Sequence, residues 1–330
     1  MSTSSPWVFF SLLADRNLNL GAVMLHCAPE NADALPPLLG HPDFAAVAAF
    51  SCVIGAEQAD RLPAGSLPAL LEAGCLPVSG ADVHRSGTAG KPALPPEAKW
   101  LSGNWYLTPP PKPSGNQIVS RAMALKLVQL VSADADTREI EEIFRHDPAL
   151  SYHLLRLVNS PGVGTGKRVT SFAQAILILG RQQLRRWLNL MLFASRKDDP
   201  RSAMLLARAA VRARSAELLA RAVGLDKQGQ EQAFMAGMFS LLGILFGLPL
   251  EEVLKPLHIS EALANAALRR EGEIGGLLRA AELAEEGKAG ELTGLLAGLP
   301  LSAAEFNSLT LEAHNWMLEV IRDKPEGEHA

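Results

Sequence analysis

Apolar and polar positions follow one rhythm up to about residue 108 and another after it. The first part carries short runs rich in β-branched and aromatic residues, "WVFFSLL" and "LGAVMLHC", joined by the turn-rich "ADRNLN", a pattern that predicts a hairpin. "HPDFAAVAAFSCVIG" adds short helical stretches, and the Gly- and Pro-rich "SGADVHRSGTAGKPALPPEAKW" predicts a long surface loop around residues 79–97. Residues 1–108 therefore read as a small α/β module. "TPPPKPSG" follows, and its prolines favour an extended linker, placed at 109–119.

Beyond the linker the period becomes helical. "DTREIEEIFRH" has Asp136 and Glu139 in capping-box spacing. Asp147 followed by Pro148 reads as an N-cap and first helical residue, with His146 ending the previous helix. "FAQAILILG" closes at Gly180, Arg181–Ser195 and Arg201–Val223 read as longer helices, and residues 232–247 as one uncharged helix buried on all sides. The expected fold class is mainly α: an all-helical domain over 120–322 behind a small α/β module. A proline linker between them predicts that residues 114–330 fold alone.

Composition adds little until charge is considered by position. The chain has 330 residues, 48% hydrophobic, with a net charge of −4. From Lys112 to Leu225 it carries 18 Lys and Arg against 9 Asp and Glu, whereas residues 226–330 carry 8 against 17. Oppositely charged halves either meet different surroundings or pack on each other. Arg181, Arg185, Arg186, Arg208 and Arg212 are the candidate surface for a partner or an anionic ligand, since helical spacing gathers several on shared faces. Few aromatics interleave with them, which disfavours nucleic acid and leaves a nucleotide as the alternative ligand. Cys27, Cys52 and Cys75 form no metal-type spacing or disulfide framework, so a reducing cytoplasm is expected. The opening residues lack a basic signal-peptide region. The uncharged run from Ala233 to Leu250 is broken by Gly, Ser and Pro, and no membrane span is expected.

Candidate chemistry is sparse. His146-Asp147 looks like a metal pair, but the capping reading of Asp147 competes with ligation, and His153 stands alone on an amphipathic helix. "PGVGTGKR" fails the Walker spacing, because Pro161 stands where the first Gly belongs and Arg168 where Ser or Thr belongs.

"DPALSYHLLRLVNS" followed by "RVTSFAQAILILGRQQLRRWLNLMLFA" resembles the HDOD domain, over roughly Ser120 to Val320. That family is related to HD-type metal phosphohydrolases without their metal ligands. A working HD helix reads "aGLLHDIG"; here "AGMFSLLG" puts Ser240 and Leu241 at the His and Asp positions, where apolar Leu cannot ligate. The N-terminal module resembles the front of the EAL domain of EAL–HDOD proteins, with Val23, Met24 and Leu25 at the Glu-x-Leu signature. Val23 replaces the metal-binding Glu, and "LSGNWYLTPPP" resembles the closing strand after too few residues for a whole barrel. The double resemblance implies no catalytic residues, metal or cofactor, and no enzyme activity. It implies a cytoplasmic bacterial signal-transduction regulator that binds other signalling proteins. A nucleotide sensor using the Arg-rich helices is the alternative, and a residual metal-dependent phosphohydrolase the third.

Overall fold

The computed structural model describes residues 6–86, 92–109, 186, 199–257 and 259–322. The expected hairpin forms from β1 (Val8–Ala14) and β2 (Leu20–Cys27), which pair antiparallel with Val8 opposite Cys27 and Leu12 opposite Val23. Its turn is built by Asp15, whose Oδ1 accepts from the backbone N–H of Asn17 and Asn19 at 2.8 and 2.9 Å, a local bond that competes with extended structure. Two helical crossovers then add parallel strands: α1 (Leu35–Leu39) and α2 (Pro42–Ser51) lead to β3 (Cys52–Gly55), and α3 (Ala56–Ala59) and α4 (Ser66–Glu72) lead to β4 (Cys75–Val78). On the other side of the hairpin, β6 (Trp100–Ser102) pairs antiparallel with β1 and parallel with β5 (Val83–Arg85). The order is β4-β3-β2-β1-β6-β5.

This sheet corrects the expected fold class. The chain is not a mainly α protein with a small appendage: a six-stranded mixed half-barrel sheet precedes the helical region. The reason is burial. Along β1, Val8, Phe10 and Leu12 point to one face and join a core that contains Phe44 and Val47 of α2 and also the helices of the distant C-terminal part. Trp7 and Phe9 join a second core with Leu277, Leu283 and Phe306.

The helices that supply this cover follow residue 199. They are α5 (Ser202–Ala222), α6 (Lys227–Phe239), α7 (Leu242–Phe246), α8 (Leu250–Leu254), α9 (Glu261–Arg269), α10 (Gly272–Glu285), α11 (Ala289–Leu296) and α12 (Ala303–Arg322). α5 is rich in Ala, Leu and Arg, the strongest helix formers, and Gly224 at φ 91° ends it. Asp226 caps α6 by accepting from Gly229 N–H at 2.7 Å. α5 and α6 cross so closely that a Cβ on Gly237 would stand 2.7 Å from Ala213 Cα, so only glycine fits there. The single uncharged helix expected over 232–247 is two: α6 stops at Phe239 and α7 starts at Leu242, ending at Gly247 with φ 64°. Among the described residues, no helix is long and apolar enough to cross a membrane.

Polar contacts fasten the same junction. Trp7 Nε1 donates to Thr293 Oγ1 at 2.8 Å. The Asn307 amide brackets the start of β1, accepting from Val8 N–H at 3.1 Å and donating to Pro6 O at 2.9 Å. Asn315 donates to Asp43 of α2 at 2.8 Å, and Arg201 reaches back to the carbonyl of Thr108. With one core shared in this way, the expectation that residues 114–330 fold alone reverses. That fragment, followed by far-UV circular dichroism on heating, should aggregate or lose signal without a cooperative transition, while the whole chain melts in one step; a cooperative helical melt of the fragment would show that the helices need no sheet.

Candidate functional site

Among the described residues, polar side chains gather around the arginines that were expected at a surface. Arg208 and Arg212 are not there. Both lie on the inward face of α5, 4% and 7% exposed. Arg208 donates from Nε and Nη2 to the Tyr106 hydroxyl at 3.1 and 2.6 Å, and its Nη1 lies 3.3 Å from Glu285. Arg212 holds Glu285 in a two-pronged pair at 3.0 and 2.6 Å and sits 3.2 Å from Glu282. Burial opposes the Arg212 charge, but Glu285 and Glu282 overcome it and hold its pKa above the usual guanidinium value. Arg186 pairs with Glu231 and, at 2.8 Å, with Glu217, and lies 4.5 Å over the Phe234 ring. Arg181 and Arg185 lie outside the described residues, as do Asp147 and Pro148.

Ser240 and Leu241 sit beside this network. Ser240 follows the last turn of α6; its hydroxyl donates to Gly237 O at 2.6 Å and accepts from Arg212 Nη1 at 2.9 Å. Leu241 is buried in the core. A guanidinium paired with two carboxylates thus meets the Ser240 hydroxyl. Among the described residues, no group of three or more His, Cys, Asp or Glu is placed to hold a metal ion.

A cavity of about 510 Å³ lies at the carboxyl ends of the parallel strands β2, β3 and β4, the end of an open α/β sheet where ligands usually bind. Met24, His26, Gly55 and Val78 come from the strands, and Arg61 and Ser79 from the loops after β3 and β4. His26 Nε2 lies 2.8 Å from Ser11 Oγ, and burial lowers its pKa, so the ring is neutral near pH 7. Val23 is not among the lining residues. Strand alternation turns it to the covered face with Leu12, Leu25 and Cys52, while Met24 and His26 face the cavity. Sequence reasoning missed both; the signal was the alternation itself, once the buried face of β2 is assigned.

With this geometry in place, comparison with known proteins can be made. Residues 119–271 match the family description "HDOD domain". The match covers just under half of the chain. Two curated relatives match: "Cyclic di-GMP phosphodiesterase CdgJ" of Vibrio cholerae, 28% identical over 194 residues, or 59% of this chain and 44% of CdgJ, and "Uncharacterized protein YuxH" of Bacillus subtilis, 28% identical over 193 residues, or 58% of this chain and 46% of YuxH. The matches thus span less than half the length of either relative. Among solved structures, an HDOD domain protein with unknown function from Geobacter sulfurreducens matches with a TM-score of 0.38 at 16% identity, over 65% of this chain and 91% of that one. A "Putative phosphohydrolase" from Shewanella amazonensis matches with a TM-score of 0.42 at 17% identity, over 61% and 93%.

The name of the CdgJ relative corrects the expectation that the protein is not an enzyme. A relative matched over 59% of the chain is named as a phosphodiesterase, so substitutions at Val23, Ser240 and Leu241 do not by themselves remove activity from consideration.

Two outcomes follow from the buried charges. Replacing Arg212 by Met leaves Glu285 without its two-pronged partner, while Glu282 keeps Arg270, and should cost about 3–5 kcal/mol in urea unfolding, most of it recovered when Glu285 is also made Leu. His314 is buried against Phe10, with Nδ1 2.7 Å from Thr310 O; burial and the nearby Arg208 depress its pKa to about 4. The unfolded chain therefore binds a proton that the folded chain refuses between pH 6.5 and about 4, so stability present above pH 6.5 is lost as pH falls through that window, by about 3 kcal/mol for this group. Urea midpoints at pH 7.5 and 4.5 should differ less in His314→Gln than in the parent; equal differences would remove His314 as the cause.

Proposed function

We propose that this protein is a bacterial signal-transduction protein that acts by binding other signalling proteins, with an EAL-like sheet module fused to its HDOD domain through a common core. The EAL-like reading is supported by the hairpin-first mixed sheet, by the cavity at the carboxyl ends of its parallel strands, and by a relative named for cyclic di-GMP. One observation carries the choice of a protein partner over a nucleotide held by the Arg-rich helices. Arg186, Arg208 and Arg212, the described members of that set, are engaged by Glu217, Glu231, Glu282 and Glu285 inside the protein, and a phosphate would have to displace a carboxylate already in place. The partner surface then belongs to other parts of the molecule.

A second reading, phosphodiester hydrolysis, is favoured by the name of the CdgJ relative. The two are separable in one experiment on the full chain. Tagged protein recovered from its native cells should retain a signalling protein in near-equal amount through a wash at high salt. The same preparation is then incubated with cyclic di-GMP and Mg²⁺ or Mn²⁺, and the nucleotide is followed by chromatography. Linear product above a buffer blank, with no protein retained, would replace the first reading by the second.

A further inference from the structure

The most specific chemistry outside these sites lies between β3 and β4. Cys52 and Cys75 are register partners on neighbouring parallel strands, both on the covered face of the sheet, and their sulfurs are in contact at 3.4 Å. Neighbouring strands run about 4.8 Å apart, inside the ~4.4–6.8 Å Cα range that a disulfide spans. The sulfurs would have to close to about 2.05 Å. The third thiol is out of reach: Cys27 lies on β2 four residues beyond Val23, the partner of Cys52, roughly 13 Å along the strand at about 3.3 Å per residue.

We propose that Cys52 and Cys75 are a reversible redox pair whose disulfide clamps the edge strand β4 onto β3. The oxidant is a hydroperoxide. One sulfur attacks the peroxide oxygen, the O–O bond breaks and a sulfenic acid forms with release of water; the second sulfur displaces hydroxide from it, closing the S–S bond as a second water leaves. Two thiols and one hydrogen peroxide thus become one disulfide and two waters. A dithiol reductant reverses the step by exchange.

The sheet decides when this can happen. Both sulfurs are buried, at 1% and 0% exposure, and their contact and burial raise the Cys52 pKa, so the closed strand pair is unreactive. β4, however, has only four residues, pairs only with β3, and enters from Gly74 at φ 85° with Leu76 56% exposed. Such an edge opens locally at a lower free energy than the core. Opening exposes the thiols together, and closing brings them back into register. Because Val78 and Ser79, just past Cys75, line the cavity, the clamp also fixes that wall.

The test uses the folded full chain treated with hydrogen peroxide, alkylated under denaturing conditions and mapped by mass spectrometry without reductant. A linked pair of peptides carrying Cys52 and Cys75, alkylated Cys27, and a melting temperature raised by a few degrees and restored by dithiothreitol are expected. Cys27→Ser should keep the link, which covers the case in which Cys75→Ser fails to fold. A linkage through Cys27, a disulfide-bonded dimer, or a Cys52–Cys75 link that forms only after global unfolding would overturn the proposal.

Discussion

Strand β1 is buried on both faces, and that requirement shapes the rest of the molecule. Val8, Phe10 and Leu12 need cover on one side, Trp7 and Phe9 on the other, and a hairpin with its own short crossover helices can supply only part of it. The remainder comes from α5, α10 and α12. Those helices are up to 300 residues away along the chain, and the Asn307 amide closes the arrangement by replacing a strand neighbour for Val8 N–H and Pro6 O. Leaving either group unpaired in that setting would cost roughly 1–3 kcal/mol, so the contact fixes position as well as adding stability.

The same junction explains the charge asymmetry. Two oppositely charged halves of a helical region can either face outward or neutralise each other, and α5 does the second. Arg212 meets Glu282 and Glu285 of α10, and Arg214 and Arg221 meet Glu312 of α12. Buried pairs of this kind add little net stability but penalise every arrangement that separates them, so they select the register of α5 against α10 and α12. Arg208 extends the selection to the sheet through Tyr106.

How much of this could be read in advance depended on how local each cause is. The turn after β1 and the extent of α5 are fixed by residues a few positions apart, and both were legible. The break between α6 and α7 was less so, since Phe239 to Leu242 carries no Pro or Gly. The extent of the sheet was hidden because β3 and β4 have only four residues each, too short for a period to show. The arginines were misplaced for a different reason: the carboxylate partners of Arg208 and Arg212 lie 70 to 77 positions later, and a helical wheel of α5 alone cannot tell a solvated Arg from one buried against Glu285. At the cavity, Met24 and His26 were passed over because attention fell on Val23, which the period of two turns to the covered face.

The HDOD match ends at residue 271, and α10 begins at Gly272. Much of what joins the sheet to the helical region lies beyond that end: Thr293 for Trp7, Phe306 and Asn307 for β1, and Asn315 for α2, while Glu282 and Glu285 tie α10 to the α5 arginines. The C-terminal helices therefore act as a bracket with one side on the domain and the other on the sheet. A proline-rich linker can only limit how far two modules separate, whereas this bracket sets their orientation through buried contacts on both. Any change in the sheet that moves β1, or in the domain that moves α5, must be taken up by α10 and α12, since packed interfaces of this density shift between discrete arrangements rather than deforming continuously.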